Sequence, residues 1–484
     1  MTNLTKATNK NMDNVIDLAD QAMFLGEQAT GATGLLQCAW VYNRAVDLDG
    51  LRRFHHHLQR GRLCRRIERS PLPFGRHRWV SPDRVPELEI VATARPRAEF
   101  DAWLAEQAGS PVDAEHGPAW HLAALPFTDG GTGVSLVISH CLADGLGLCQ
   151  ALADAAVGRG VPARWPAAGS RRRSTIVRED IRQTVRDIPG FGRAVAAAAR
   201  LAWRERARAA TAAPLPARPT TPDEAVTLAM ATVFVDADDW DICAHIRGAT
   251  SNALFAAVAA RLAHRVGRVA ADGSLTLAMP VNERTVGDTR ANAVTNVDIT
   301  VERVPRTTDL REIRATIKQA LIRHREVPNE RWALMPLVPL LPKRLVRNLV
   351  SVAAGTPSTV VTSNLGAIDP TVARLDGTGA DHFAMMSLFP GVTTAILHRT
   401  GGRLALVSGR VHGRIFISVL AYQPGYCNTN DVLHQDVLST LDDFSLSASP
   451  GWPCPDSQRL ASRLDRWAPM SLATNSCSGL PVVP

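Results

Sequence analysis

Between residues 134 and 153 the hydrophobic pattern changes its period. Val134, Leu136 and Ile138 are apolar at alternate positions, which predicts a strand with one buried face. Leu146, Cys149, Leu152 and Ala153 then recur at helical spacing, so a helix is predicted from about Gly145. The turn between them is Ser139-His140-Cys141-Leu142-Ala143-Asp144. Asp144 suits the N-cap, because a carboxylate there accepts free N–H groups and complements the positive helix end. The pattern thus sets His140 at the end of a strand, on a tight turn in front of a helix N-terminus.

The same reading extends along the chain. Residues 71–80 read as an irregular segment leading into a strand, and strands are predicted over 36–46, 87–91, 120–127, 230–235, 275–281, 295–301, 359–363, 393–397, 403–408 and 414–421. The turn Thr400-Gly401-Gly402 joins two of these in a predicted hairpin. Helices are predicted over 49–58 with Asp49 as cap, 100–108, 175–212, 251–266 with Ser251 as cap, 310–321 and 430–442. His55-His56-His57 falls inside the first of these. Successive helical residues point about 100° apart, so the three cannot share one metal and read as solvated or partly packed side chains. Residues 332–350 are apolar but broken by Pro336, Pro339 and Pro342, which leaves three readings: an acyl channel, a lipid contact or a buried irregular helix pair.

Changes of character divide the chain into a disordered N-terminus (1–15), an N-terminal lobe (16–170), an Arg- and Pro-rich connection (171–222), a C-terminal lobe (223–447) and a disordered tail (448–484). The Arg-rich helix of the connection reads by default as solvated, with a membrane surface as the second placement.

A chain of 484 residues buries roughly three quarters of its unfolded surface, enough for a core without staples. The net charge of +8 raises nucleic acid as a partner, but the arginines are dispersed, tyrosines number 3 and no nucleic-acid motif is present, so none is expected. The eight cysteines include no Cys-x-x-Cys pair, which argues against a zinc or thiol redox site. The N-terminus lacks an apolar leader and no apolar run reaches about 20 residues, so the expectation is a cytoplasmic protein, at most peripheral to a membrane. A serine-hydrolase elbow and a Gly-rich phosphate loop are both missing from the sequence.

His140-x-x-x-Asp144-Gly145 resembles the active-site motif of the thioester-dependent acyltransferase superfamily. That group holds peptide-synthetase condensation domains, polyketide-associated acyltransferases and wax ester synthase/diacylglycerol acyltransferases. Many members carry two adjacent histidines, the second being the base; here Ser139 stands at the first and His140 at the second. Pro118-Ala119-Trp120 resembles the Pro-Leu-Trp of wax ester synthases, and Thr250-Ser251-Asn252-Ala253 their Asn-Asp motif, with Ala253 in place of the aspartate. Pro280-Val281-Asn282-Glu283-Arg284 resembles the strand that ends in the family's arginine. Ala291-Asn292 resembles a Gly-Asn step, and Thr362-Ser363-Asn364-Leu365-Gly366 the late Asn-x-x-Gly segment. The order is the family's and spans roughly residues 20 to 445.

The resemblance implies an α/β fold of two chloramphenicol-acetyltransferase-like lobes, a V-shaped pseudo-dimer with a central substrate tunnel. It implies transfer of an acyl group from a CoA or carrier-protein thioester to an alcohol or amine, with no bound cofactor or metal. The partners implied are an acyl-CoA or phosphopantetheinyl acyl carrier protein as donor and a small-molecule or lipid acceptor. A thioester is already activated, so the protein has to deprotonate the acceptor, position it and stabilise an oxyanion. An imidazole suits the first task at neutral pH, and His140 is the expected catalytic base. Asp144 and Arg284 are expected to form a structural ion pair, Gly145 to permit close backbone approach, and Ser139, Ser363 and Asn364 to contact substrate. With no adenylation or carrier domain in these residues, a stand-alone ester or amide former is expected. The competing expectation is a catalytically silent scaffold that binds a carrier protein or lipid, suggested by Ser139.

Overall fold

A computed structural model describes residues 14–159, 165–209, 224–285, 288–326, 332–353 and 356–453. The expected frayed terminus before residue 14, the prolines at 162 and 214–222, and the tail beyond 453 lie outside the described residues. The described chain is mixed α/β and builds two large sheets. The first runs in the order His382–Leu388, Leu35–Tyr42, Thr132–Ser139, Trp120–Pro126, Leu88–Ile90. The second runs Ala448–Pro450, Ala229–Asp236, Arg414–Tyr422, Arg403–Val411, Thr359–Ala367, Leu275–Asn282, Val294–Val301.

One strand crosses the expected lobe boundary. His382–Leu388 lies inside the 223–447 segment, yet it pairs antiparallel with Leu35–Tyr42 in the first sheet. The lobes are therefore stitched by main-chain hydrogen bonds as well as by packing. The Arg414–Tyr422 strand shows why both faces of the second sheet are apolar: Ile415, Ile417 and Val419 enter the core under the helices Ser251–Arg265 and Asn430–Asp442, while Phe416 and Leu420 enter the core of the first lobe. A strand buried on both sides reads as a continuous apolar run. The strand before His140 is of the same kind. Every residue from Thr132 to Ser139 is buried, so the expectation of a single buried face fails: Ser135 and Val137 fill the other face.

Several elements differ from expectation. Helix Leu48–Leu58 is capped by Asp47, which accepts from the Asp49 amide at 3.0 Å, and not by Asp49. Thr250, not Ser251, caps Ser251–Arg265; Ser251 Oγ instead accepts the Trp240 indole N–H at 2.9 Å. Residues 394–399 form a helix rather than a strand, because the Gly402 amide returns to the Leu397 carbonyl at 2.7 Å and the glycine pair ends a helix. The hairpin lies one element later, at His412-Gly413, both with positive φ (49° and 72°), as a two-residue loop between right-twisted strands requires. Order also extends past 447: Ala448–Pro450 pairs with Ala229–Asp236, and Trp452 is buried against Phe100 and Phe234 with its indole N–H on Asp101 at 2.7 Å.

The helices Leu18–Thr30 and Ala237–Ile246 and the strand His382–Leu388 have no counterpart in the sequence reading. Leu18–Thr30 receives the apolar, proline-broken segment, which is an irregular helix pair: a 3-10 helix Trp332–Leu340 followed by Lys343–Ala353, with Val338 and Val346 buried against Ala22 and Ala29. In the His55–His57 run the side chains diverge as expected. His55 is buried against Trp120, His56 is exposed, and His57 Nδ1 meets the Ala155 carbonyl at 2.8 Å.

Candidate active site

The turn that carries His140 is held by its backbone from three directions. The His140 amide donates to the Gly34 carbonyl at 2.9 Å, extending the pairing of Leu35–Tyr42 with Thr132–Ser139 by one residue. Its carbonyl accepts the Asn292 side-chain N–H at 3.0 Å. Two residues on, the Leu142 carbonyl accepts Arg65 Nη2 at 2.7 Å. Ser139, fully buried, donates its amide to the Ala119 carbonyl, and its hydroxyl oxygen accepts the Cys141 amide at 3.3 Å. The serine hydroxyl thus completes the turn from behind and is a part of its backbone wiring. The imidazole is half-buried and its Nδ1 is enclosed without a hydrogen-bond partner. Burial holds its pKa below the usual histidine value, with its own carbonyl, the Asp144 charge and Asn292 pulling weakly the other way.

Asp144 is the knot beneath the turn. Its Oδ1 accepts the Gly147 amide at 2.6 Å, capping helix Gly145–Ala156 as the sequence predicts. Its Oδ2 accepts Arg284 Nη2 at 2.6 Å and the Ala293 amide at 2.7 Å. The side chains of Asp144 and Arg284 are 3% and 9% exposed, so the pair is fully enclosed. Arg284 also donates to the carbonyls of Arg290 and Ala291 at 3.0 Å each. These partners sit on the connection between strands Leu275–Asn282 and Val294–Val301, which reaches out of the second lobe to clasp the first.

Two residues with no motif of their own complete the clasp. Asp20, on helix Leu18–Thr30, accepts the amides of Ala291 and Asn292 at 3.0 and 2.8 Å and the Asn292 side chain at 3.1 Å. Burial pushes its carboxyl up to about 6 against the pull of Arg65. Arg65 lies 4.0 Å over the Trp79 ring, and burial pushes it down to about 10. Glu27, on the same helix as Asp20, accepts the Gly34 amide at 2.9 Å, and burial pushes its carboxyl up to about 7. The first turn of a helix is the ordinary place for an acid, so Asp20 gave no local signal; its role follows from what arrives 271 residues later.

Of the expected site residues, the fold brings His140, Asp144, Gly145, Arg284 and Ser139 together. Gly145 is a point of close approach: a Cβ there would meet Leu365 at 2.9 Å and Met385 Sδ at 3.4 Å. Leu365 belongs to Thr359–Ala367, so the late Asn-x-x-Gly segment does abut the motif helix. Asn364 turns to Asn252, at 3.4 Å, and to the Gly366 amide. Ser363 is half-buried on the same strand with no bond to His140. Gly147 was not singled out by sequence, yet a Cβ there would meet Arg284 Nη2 at 2.8 Å and Asp144 Oδ1 at 3.0 Å. Two small cavities, one lined by Phe234, His382, Phe383 and Arg414 and the other by Arg403, Tyr422, Tyr426 and Asn428, include none of these residues. Among the described residues no group of His, Cys, Asp and Glu is arranged to hold a metal.

No family model matches the chain, and no curated protein matches it. Solved structures do. The first condensation domain of the CDA synthetase is similar with a TM-score of 0.54 at 16% identity, over 92% of this chain and 98% of that one. The condensation domain of the Monacolin K polyketide synthase is similar with a TM-score of 0.52 at 11% identity, over 89% and 96%. Polyketide synthase associated protein 5 from Mycobacterium tuberculosis is similar at 0.50 and 12%, over 88% and 97%. At these identities the likeness is one of fold, and the two-lobed condensation-domain fold expected from the motif is the one observed.

Proposed function

We propose that the chain is an acyltransferase that moves an acyl group from a CoA or carrier-protein thioester to an alcohol or amine. The observation that carries the reading is a histidine on a turn whose carbonyls and cap are clamped from both lobes. A silent scaffold does not need the backbone of this histidine anchored from both lobes. In this reading Nε2 of His140 takes the acceptor's proton as its oxygen or nitrogen forms a bond to the thioester carbonyl carbon. The carbon–sulfur bond then breaks, and the departing sulfur takes up the proton from the imidazolium. No covalent intermediate with the protein is required. The N-terminal end of helix Gly145–Ala156, whose Gly147 amide is taken by the Asp144 cap, would add a favourable dipole to an oxyanion at the turn. Arg284 and Asp144 act on the turn and not on the substrate; Ser363 and Asn364, on the strand that abuts the motif helix, are the candidates for substrate contact.

The test is a mass-spectrometric product screen. The protein and His140→Ala each meet acyl-CoAs of varied chain length, and the same acyl groups on a phosphopantetheinylated carrier protein, with a pool of alcohols and amines. An acylated product that the variant does not form, at unchanged thermal stability, supports the reading and names the acceptor class. Equal product from both proteins removes His140 as base. No product with either donor class turns the assignment to the scaffold.

A further inference from the structure

Helix Arg173–Ala209 is anchored along one side only. Asp180 is fully buried and accepts Arg78 Nη2 at 3.1 Å and the Ser70 hydroxyl at 2.5 Å. Asp187 pairs with Arg76 at 3.2 Å, and Ala194 and Ala197 are buried. At 100° per residue these positions share one side of the helix. The opposite side carries Ile181, Val185, Ile188, Val195 and Trp203, exposed by 52, 59, 55, 57 and 76%. With Gly192 and Ala199 they recur at steps of three and four, a continuous apolar stripe in water.

Arg178, Arg182, Arg186, Arg193 and Arg200 are all exposed and follow the stripe along one flank. Asp180 and Asp187 face inward, and Glu179, at the edge of that flank, is already paired with Arg171 and Arg78. The segment packed on this helix, Trp332–Leu340, ends in Leu340 (44% exposed) and is followed by exposed Lys343, Arg344 and Leu345. Apolar side chains and cations, without anions, thus recur on the neighbouring element.

We propose that this face binds an anionic membrane surface, with the helix lying in the plane of the headgroups. A second copy of the chain would cover the apolar stripe but offer the arginines no negative charge. Nucleic acid would offer the charge but leave the stripe in water. Anionic lipid satisfies both, which is the combination an interfacial helix needs. No described helix is long and apolar enough to cross a membrane, so the contact is one of surface.

The test is co-sedimentation of the full chain with vesicles of phosphatidylcholine alone and of equal parts phosphatidylcholine and phosphatidylglycerol. Binding to the mixed vesicles only, lost at high salt, is expected, with a blue shift of emission that Trp203→Phe diminishes. Each of Arg182→Gln and Arg186→Gln is expected to weaken partition roughly fivefold. Ile188→Asp with Val195→Asp is expected to abolish it while the circular-dichroism melt is unchanged. Equal binding to both vesicle types, or no binding to either, overturns the proposal. So does a dimer in sedimentation velocity that the aspartates dissociate in protein that ignores vesicles.

Discussion

Replacing Asp144 by alanine tests whether the clasp beneath His140 is structural. The carboxylate accepts three donors, from Gly147 at 2.6 Å, Arg284 at 2.6 Å and Ala293 at 2.7 Å. The guanidinium that remains is 9% exposed, so water cannot replace the lost charge. Stranding one partner of a buried ion pair costs roughly 3–5 kcal/mol, because the desolvation of the survivor is no longer offset. That is a large share of the ~5–15 kcal/mol by which folded proteins exceed their unfolded states. The expected result in urea denaturation is a loss of about 3–5 kcal/mol for Asp144→Ala. Arg284→Met alone leaves a buried carboxylate with two amide donors and should cost somewhat less. The double variant removes both charges and should be more stable than the sum of the singles by roughly 1–3 kcal/mol. A loss under ~0.5 kcal/mol for Asp144→Ala, the scale of ordinary surface substitutions, would refute the account. So would single-variant costs that simply add.

Two more predictions follow from the same region. Gly147→Ala places a methyl 2.8 Å from Arg284 Nη2, inside the clasp, and should cost about 1–3 kcal/mol as overpacking; Gly145→Ala meets the mobile end of Leu365 and should cost less, so a reversed order in thermal melts contradicts the packing described. Glu27 carries a carboxyl raised from its ordinary 4.5 to about 7, so the folded state holds a proton that the unfolded state releases. Stability from this group is present below about 4.5 and is lost as pH rises through about 7. Glu27→Gln keeps the Gly34 contact and should flatten that decline, and parallel stability curves for the two proteins across this window would contradict it.

The motif turn and most of the elements that carry it were legible in the sequence. The strand–turn–helix around His140 and the Asp144 cap depend on neighbours in the chain, which local pattern reports, although it did not report that Ser135 and Val137 are buried too. The pairing of Asp144 with Arg284 was legible too, through the ordered resemblance of segments 140 residues apart. Features with no local period became visible only in the folded chain. Asp20, Arg65 and Gly147 gain their roles from groups brought to them by folding, and a lone acid, arginine or glycine looks the same whether buried on a distant loop or free in water. Thr394–Arg399 and His382–Leu388 were misread or passed over because short apolar runs satisfy both periods, and only pairing partners decide between them. The stitching of the two lobes by one strand is likewise a property of the sheet, since hydrogen bonds between distant strands leave no mark on either strand alone.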